Sequence, residues 1–133
     1  MPNTNPLIVC RGVRGAITTG EDTREEILAA TGTLLAEIVA ANDLGPGDLA
    51  SAIFTTTADL TAAYPAEAAR QLGWMHVPLL CTQEMRVNGG LEHCIRVLLH
   101  WNTSLGPEQV RHIYLGEAQQ LRPDLANSES TQA

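Results

Sequence analysis

Two hydrophobic periods run along this chain, and the switches between them mark its elements. Over residues 7–17 the period is two. Ile8, Cys10, Gly12, Arg14 and Ala16 fall on one side, and Leu7, Val9, Arg11, Val13 and Gly15 on the other. This predicts a strand whose glycines permit a bulge or a close backbone approach. From Thr23 the period becomes helical. Ile27, Leu28, Leu34, Leu35, Ile38 and Val39 make one apolar stripe ending near Asn42, and Gly45-Pro46-Gly47 stops it. Thr23 with Glu26 fits a capping box, and Asp22 with Glu25 is a rival register. Period two returns over 48–57, centred on Ile53 and Phe54. A loop over 59–64 then leads to a short helix from Pro65 to about Leu72, closed by Gly73. Further strands are predicted over 75–81, 93–101 and 110–115, with a polar connection over 83–90 and a turn over 102–109. In the fourth strand Cys94, Arg96, Leu98 and His100 share one face, and Ile95, Val97, Leu99 and Trp101 the other. In the fifth, His112 and Tyr114 share a face. A turn or short helix over 117–121 leads to Arg122-Pro123-Asp124.

The order strand, helix, strand, short helix, then three strands predicts an α/β (α+β) fold. Its mixed five-stranded sheet carries one long and one short helix on one face. The other face is left to cover, and only 4% of residues are aromatic; both points favour an oligomer. The 133 residues suit one domain, placed at 7–125, and no repeat or linker divides it. A loose extension at 1–6 and a flexible polar tail at 126–133 are expected to flank it.

Composition narrows the chemistry. The net charge of −7 disfavours a nucleic-acid partner. No run approaches the ~18 apolar residues of a membrane span. Three cysteines, Cys10, Cys81 and Cys94, without an apolar signal segment, suit free thiols in a reducing cytoplasm. All eight basic residues are arginines. Lysine Schiff bases and a Walker-type loop are therefore excluded, and an anion must be held by guanidinium forks, backbone amides or helix N-termini. A GC-rich genome gives the same bias. The four histidines, His76, His93, His100 and His112, lack zinc-like spacing, so no metal site is expected. Gly12-Val13-Arg14-Gly15 is not a dinucleotide fingerprint. No Gly-x-Ser-x-Gly elbow occurs, and Cys81-x-x-Glu84 has no histidine next to it in sequence to activate the thiol.

Two arginines interrupt apolar rows. Arg14 shares a face with Ile8 and Cys10, and Arg96 with Cys94 and Leu98. On a core-facing row a guanidinium is costly unless paired. A structural ion pair to Glu84 or Glu67 would satisfy it, and so would an anionic ligand.

Seven ordered segments carry a family resemblance. They are Arg11-Gly-Val-Arg-Gly-Ala16, Phe54-Thr-Thr-Thr-Ala-Asp-Leu60, Tyr64-Pro-Ala-Glu-Ala-Ala-Arg70, Val77-Pro-Leu-Leu-Cys-Thr-Gln-Glu-Met85, Gly89-Gly-Leu with Cys94-Ile-Arg-Val97, Val110-Arg-His-Ile-Tyr-Leu115 and Leu121-Arg-Pro-Asp-Leu125. Together they resemble the small monofunctional chorismate mutases of the Bacillus type, from Ile8 to Leu125. The resemblance implies a homotrimer with a barrel-like centre and active sites between neighbouring subunits. It implies the cofactor-free, metal-free pericyclic rearrangement of chorismate to prephenate, in cytoplasmic aromatic amino acid biosynthesis. Position by position it implies catalytic roles for Arg96, Glu84 and Arg14. Arg96 would meet the breaking ether oxygen and Arg14 a carboxylate of the enolpyruvyl arm, with Tyr114 beside it. Glu84 and the Cys81 backbone or thiol would hold the ring hydroxyl. Tyr64, Ala66 and Arg70 would form a wall from the adjacent subunit, and Leu121 and Arg122 would close the pocket. Glu67 stands where some relatives carry a basic residue, which suits a rim or intersubunit pair.

The chemistry is consistent with the residues. A unimolecular rearrangement needs no proton transfer, only a clamp for the substrate and a charge at the breaking bond. Two other readings remain. One is acid–base chemistry on another small carboxylate through Glu84 and His112. The other is a non-catalytic regulatory module that binds a small carboxylate metabolite.

Overall fold

The structure is a computed structural model and describes residues 7–124. The expected extension at 1–6 and tail at 126–133 lie outside the described residues. The two-residue period produces five strands: β1 (Val9–Thr18), β2 (Leu49–Thr56), β3 (Leu79–Gln83), β4 (Cys94–Thr103) and β5 (Ile113–Leu115). They form one mixed sheet in the order β3-β2-β4-β1-β5. β4 runs antiparallel to both β1 and β2, while β5 is parallel to β1 and β3 is parallel to β2.

Register decides which side chains meet. Val13 pairs with Leu99 and Ala52 in one row, Gly15 with Val97 and Phe54 in the next, and Ile17 with Ile95 and Thr56 in the third. Onto this face packs helix α1 (Arg24–Asn42), burying Ile27, Leu34, Leu35 and Ile38. Helix α2 (Ala66–Gln71) adds Ala66 and Ala69 to the same core. The bare Gly15 lets α1 lie close: a Cβ there would sit 2.6 Å from Ile38 Cδ1. The fold thus matches the mixed sheet with both helices on one face. Among the described residues no helix is long and apolar enough to cross a membrane.

The arginine rows do not face this core, contrary to expectation. The rows of Val13 and Ile17 and of Ile95, Val97 and Leu99 take the helices. Cys10, Gly12, Arg14, Arg96 and Leu98 are therefore left on the opposite, open face, where Cys10 and Arg14 are exposed. A short 3₁₀ turn, Gly116–Leu121, covers only one corner of it, over Ala16, Cys94 and Tyr114.

Two strands differ from the predicted ranges. The third begins at Leu79, because Trp74 and Val77 are buried in a turn, not paired in a ladder. The fifth begins only at Ile113. Before it, the Arg111 backbone is captured by the end of α1. Asn42 Oδ1 accepts the Arg111 N–H at 2.8 Å, and its amide donates to the Arg111 carbonyl at 2.9 Å and to the Ile38 carbonyl at 3.0 Å. At the other end of α1, Thr23 caps by accepting the Glu26 N–H at 3.2 Å. The Glu26 carboxylate accepts from the Glu21 N–H rather than closing the expected box. Asp22 is not the cap; it accepts the Thr61 and Ala62 N–H groups and the Thr61 hydroxyl, tying α1 to the loop before α2. Pro65 precedes α2 as expected, and Gly73, at φ 91°, ends it.

Asn42 is 8% exposed, so water cannot fully replace its bonds. The Asn42→Ala variant is expected to lose about 1–3 kcal/mol of stability, the cost of leaving buried backbone groups unpaired. Urea unfolding measures this directly; an unchanged midpoint would show that Arg111 finds other partners.

Candidate active site

Arg96 stands near the start of β4, between Thr55 of β2 and Ala16 of β1 on the open face. Glu84 follows the end of β3, and its N–H extends the ladder by donating to the Thr56 carbonyl at 2.8 Å. This fixes where its carboxylate lies. Oε2 accepts the Thr55 hydroxyl at 3.1 Å, and Oε1 accepts the Met85 N–H at 3.2 Å. Arg96 Nε lies 3.1 Å from Glu84 Oε2. The contact is an ion pair, and among the described residues this buried Nε has no hydrogen-bond partner. The Arg96 side chain is nonetheless 43% exposed. It is therefore a cation anchored at one end and open to a ligand at the other.

Around this pair is a cleft of about 590 Å³. Thr57, Asp59, Cys94 and Leu121 line it with Arg96 and Glu84, and the 85–92 loop forms its rim. Burial pushes the Cys94 thiol up, while Arg96 opposes the shift; a protonated thiol is a poor nucleophile. Asp59 organises the start of β4. It accepts the Thr57 hydroxyl and, at 3.0 Å, the His93 N–H. His93 has a left-handed φ of 50°, and its Nδ1 lies 2.7 Å from the Gly20 carbonyl. Burial raises the Asp59 carboxyl, but these hydrogen bonds and the nearby His93 outweigh it and hold the group below its ordinary value.

A second corner lies across β1. Tyr114 is buried beside Ala16, Cys94 and Ala118, with Leu121 packed against them. Arg14 is exposed two residues along β1, diagonal to Arg96 through the Arg14–Leu98 and Ala16–Arg96 pairs. Burial holds His112 below the usual imidazole value, and Arg14 and Arg122 add to the effect. Arg122 pairs with Asp124 at 2.9 and 3.1 Å.

The expected site residues thus divide. Arg96, Glu84 and Leu121 share the cleft. Arg14, Tyr114 and Arg122 gather at the adjoining corner. Tyr64 and Arg70 belong to the segment around α2 and do not line the cleft; Tyr64 is 70% exposed. Two of the expected contact residues have their side chains in the core. Ala66 is 4% exposed within the main core, so its methyl cannot serve a ligand. Cys81 pairs with Phe54 and packs against that same core, so its thiol faces the helices and only its backbone is left for the cleft side. Of the two expected ion pairs, Arg96–Glu84 forms, whereas Glu67 pairs with Arg24 of the same chain. Asp59, Thr55 and Cys94 were not singled out as site residues. Thr55 has a legible signal, being on the strand face of Ile53; Asp59 sits in a loop where no period applies.

Comparison with known proteins follows the same lines. A family profile described as Chorismate mutase type I matches residues 10–125. The chorismate mutase AroH of Thermus thermophilus is 52% identical over 120 residues, which span 90% of this chain and 98% of that protein. The chorismate mutase AroH of Bacillus subtilis (strain 168) is 44% identical over 126 residues, 94% of this chain and 99% of the other. A solved chorismate mutase from Clostridium thermocellum matches with a TM-score of 0.81 at 45% identity, covering 82% of this chain and 97% of that one.

The depressed Asp59 carboxyl has a consequence for stability. Its contribution is complete above the unfolded carboxylate value, near pH 4, and is lost as pH falls through the lower folded value. Urea midpoints at pH 7 and pH 3 are therefore expected to differ more in the wild type than in Asp59→Asn. Equal differences would assign the acid loss to other carboxylates.

Proposed function

The chain belongs to the chorismate mutase type I family, and from that premise we propose how its open sheet face converts chorismate to prephenate. The reaction breaks a carbon–oxygen bond and forms a carbon–carbon bond within one molecule. Negative charge grows on the ether oxygen as the old bond loosens. A cation fixed beside that oxygen binds the transition state more tightly than the ground state. Arg96 is that cation. The observation that carries the reading is its anchorage: a buried Nε against Glu84 on the central strand, with the side chain still partly open to the cleft.

The remaining roles follow from placement. Glu84 balances the Arg96 cation and accepts the ring hydroxyl, with the Cys81 backbone nearby in sequence. Arg14 grips the carboxylate of the enolpyruvyl arm, and Tyr114 backs that end. Leu121 and Arg122 close the pocket over the ring carboxylate. Holding both carboxylates forces the extended dianion into a compact pose, which lowers the barrier without any acid, base or nucleophile. The wall formed by Tyr64 and Arg70 comes from a neighbouring copy in a homotrimer. In support, the open face leaves Cys10, Arg14 and Leu80 exposed in one chain, while the α2 residues stand away from that chain's own cleft. The cytoplasm is the proposed compartment.

Loss of the chorismate diene absorbance on adding purified protein tests the activity. Turnover is expected to persist in chelator. Arg96→Ala is expected to lower kcat/KM by about 10²–10³ or more, the scale for removing a preorganised donor at developing charge. Arg122→Ala should cost much less. Absence of turnover at micromolar enzyme would overturn the assignment, and a fully active monomer in sedimentation would overturn the shared pocket.

A further inference from the structure

On its β5 side, β1 lacks a backbone partner at Arg14, the residue read above as gripping the carboxylate of the enolpyruvyl arm. β5 pairs with β1 only from Gly15–Ile113 onward. One step earlier, Arg111 is turned away from the sheet by Asn42. The Arg14 N–H is satisfied instead by a side chain: it donates to His112 Nδ1 at 2.9 Å. A ring nitrogen that accepts is unprotonated, so the ring is neutral with its proton on Nε2.

We infer that His112 is a positioning residue for the carboxylate site, its neutral ring standing in for a strand carbonyl and setting the backbone from which the Arg14 guanidinium reaches substrate. The inference rests on the reading of Arg14 as a carboxylate clamp. Geometry is the reason a ring is used here. A β5 carbonyl at this position would need Arg111 in the ladder, and Arg111 is committed to the C-terminal end of α1. The ring therefore links the strand bearing the clamp to the segment that leads into β5, and Asn42 ties the preceding residue, Arg111, to the helix end.

The device carries its own pH dependence. Protonated imidazole has two donors and no acceptor, so the Arg14 N–H would face another N–H. The charged groups facing His112 are Arg14 on β1 and Arg122 beyond the 3₁₀ turn, and both are cations. Tyr114 lies two residues along on the same strand. Burial and these two cations hold the ring neutral to lower pH than a free histidine. The clamp is therefore intact at neutral pH and loosens as pH falls through that lowered value.

The test is steady-state kinetics on chorismate with His112→Phe, His112→Asn and Arg14→Ala, from pH 4.5 to 8, with thermal melts alongside. Asparagine places Oδ1 near the position of Nδ1 and does not titrate. His112→Phe is expected to raise KM roughly tenfold, the fold-change of one lost hydrogen bond, with kcat nearly unchanged. His112→Asn should restore KM towards wild type and remove the acid limb of kcat/KM that the wild type shows. Wild-type KM in both variants, with Arg14→Ala still raising it, would overturn the inference and leave the clamp standing. Loss of kcat in His112→Asn as deep as in His112→Phe would overturn it in favour of acid–base chemistry by the ring. If His112→Phe fails to fold, the asparagine profile decides: an acid limb unchanged from wild type overturns the inference. An Arg14→Ala variant with unchanged KM would instead overturn the clamp on which it rests.

Discussion

The two-residue period of β4 holds the rest of the structure in place. Ile95, Val97, Leu99 and Trp101 bury against the helices from the centre of the sheet. Their neighbours in sequence have no choice of side, because a slip of one residue would turn the whole apolar set outward. Arg96 is thereby held on the open face by the burial of its own chain neighbours on the other. β4 is also flanked on both sides by antiparallel partners, so its backbone has little freedom to adjust. A cation on such a strand is held in place before any ligand arrives.

Electrostatics then sets the terms of the site. The chain as a whole carries −7, yet the open face concentrates arginine. A cation partly withdrawn from water needs a counterion, and Glu84 supplies it without consuming the whole fork. The carboxylate is itself held by the Thr55 hydroxyl and the Met85 N–H.

Much of this was legible in the sequence, and the misses share a cause. The period along β1, α1, β2 and β4 placed those elements and put Arg14 and Arg96 on rows of their own with Cys10, Cys94 and Leu98, which were read as facing the core. It did not reveal which row the helices would cover, since one helix layer leaves that choice to tertiary packing. Val77 read as strand because burial in a turn and burial in a ladder select the same residue types. β5 was drawn too long because Asn42 and His112 take over hydrogen bonds that a backbone usually makes. No local pattern announces a side chain that substitutes for a strand. The position of Cys81 was recognisable, but the direction of its thiol followed only from the register with Phe54.

Gly15 gives neighbouring positions opposite kinds of constraint. Residue 14 is bound by what it must present outward, and residue 15 by what it must omit inward, where Ile38 and Leu34 close on the bare backbone. Any bulk added at 15 would lever α1 away from β1 or push β1 itself, and so re-aim the arginine beside it. The fit between helix and sheet and the aim of the Arg14 side chain are therefore inherited as one unit, spelled by two adjacent residues that face away from each other.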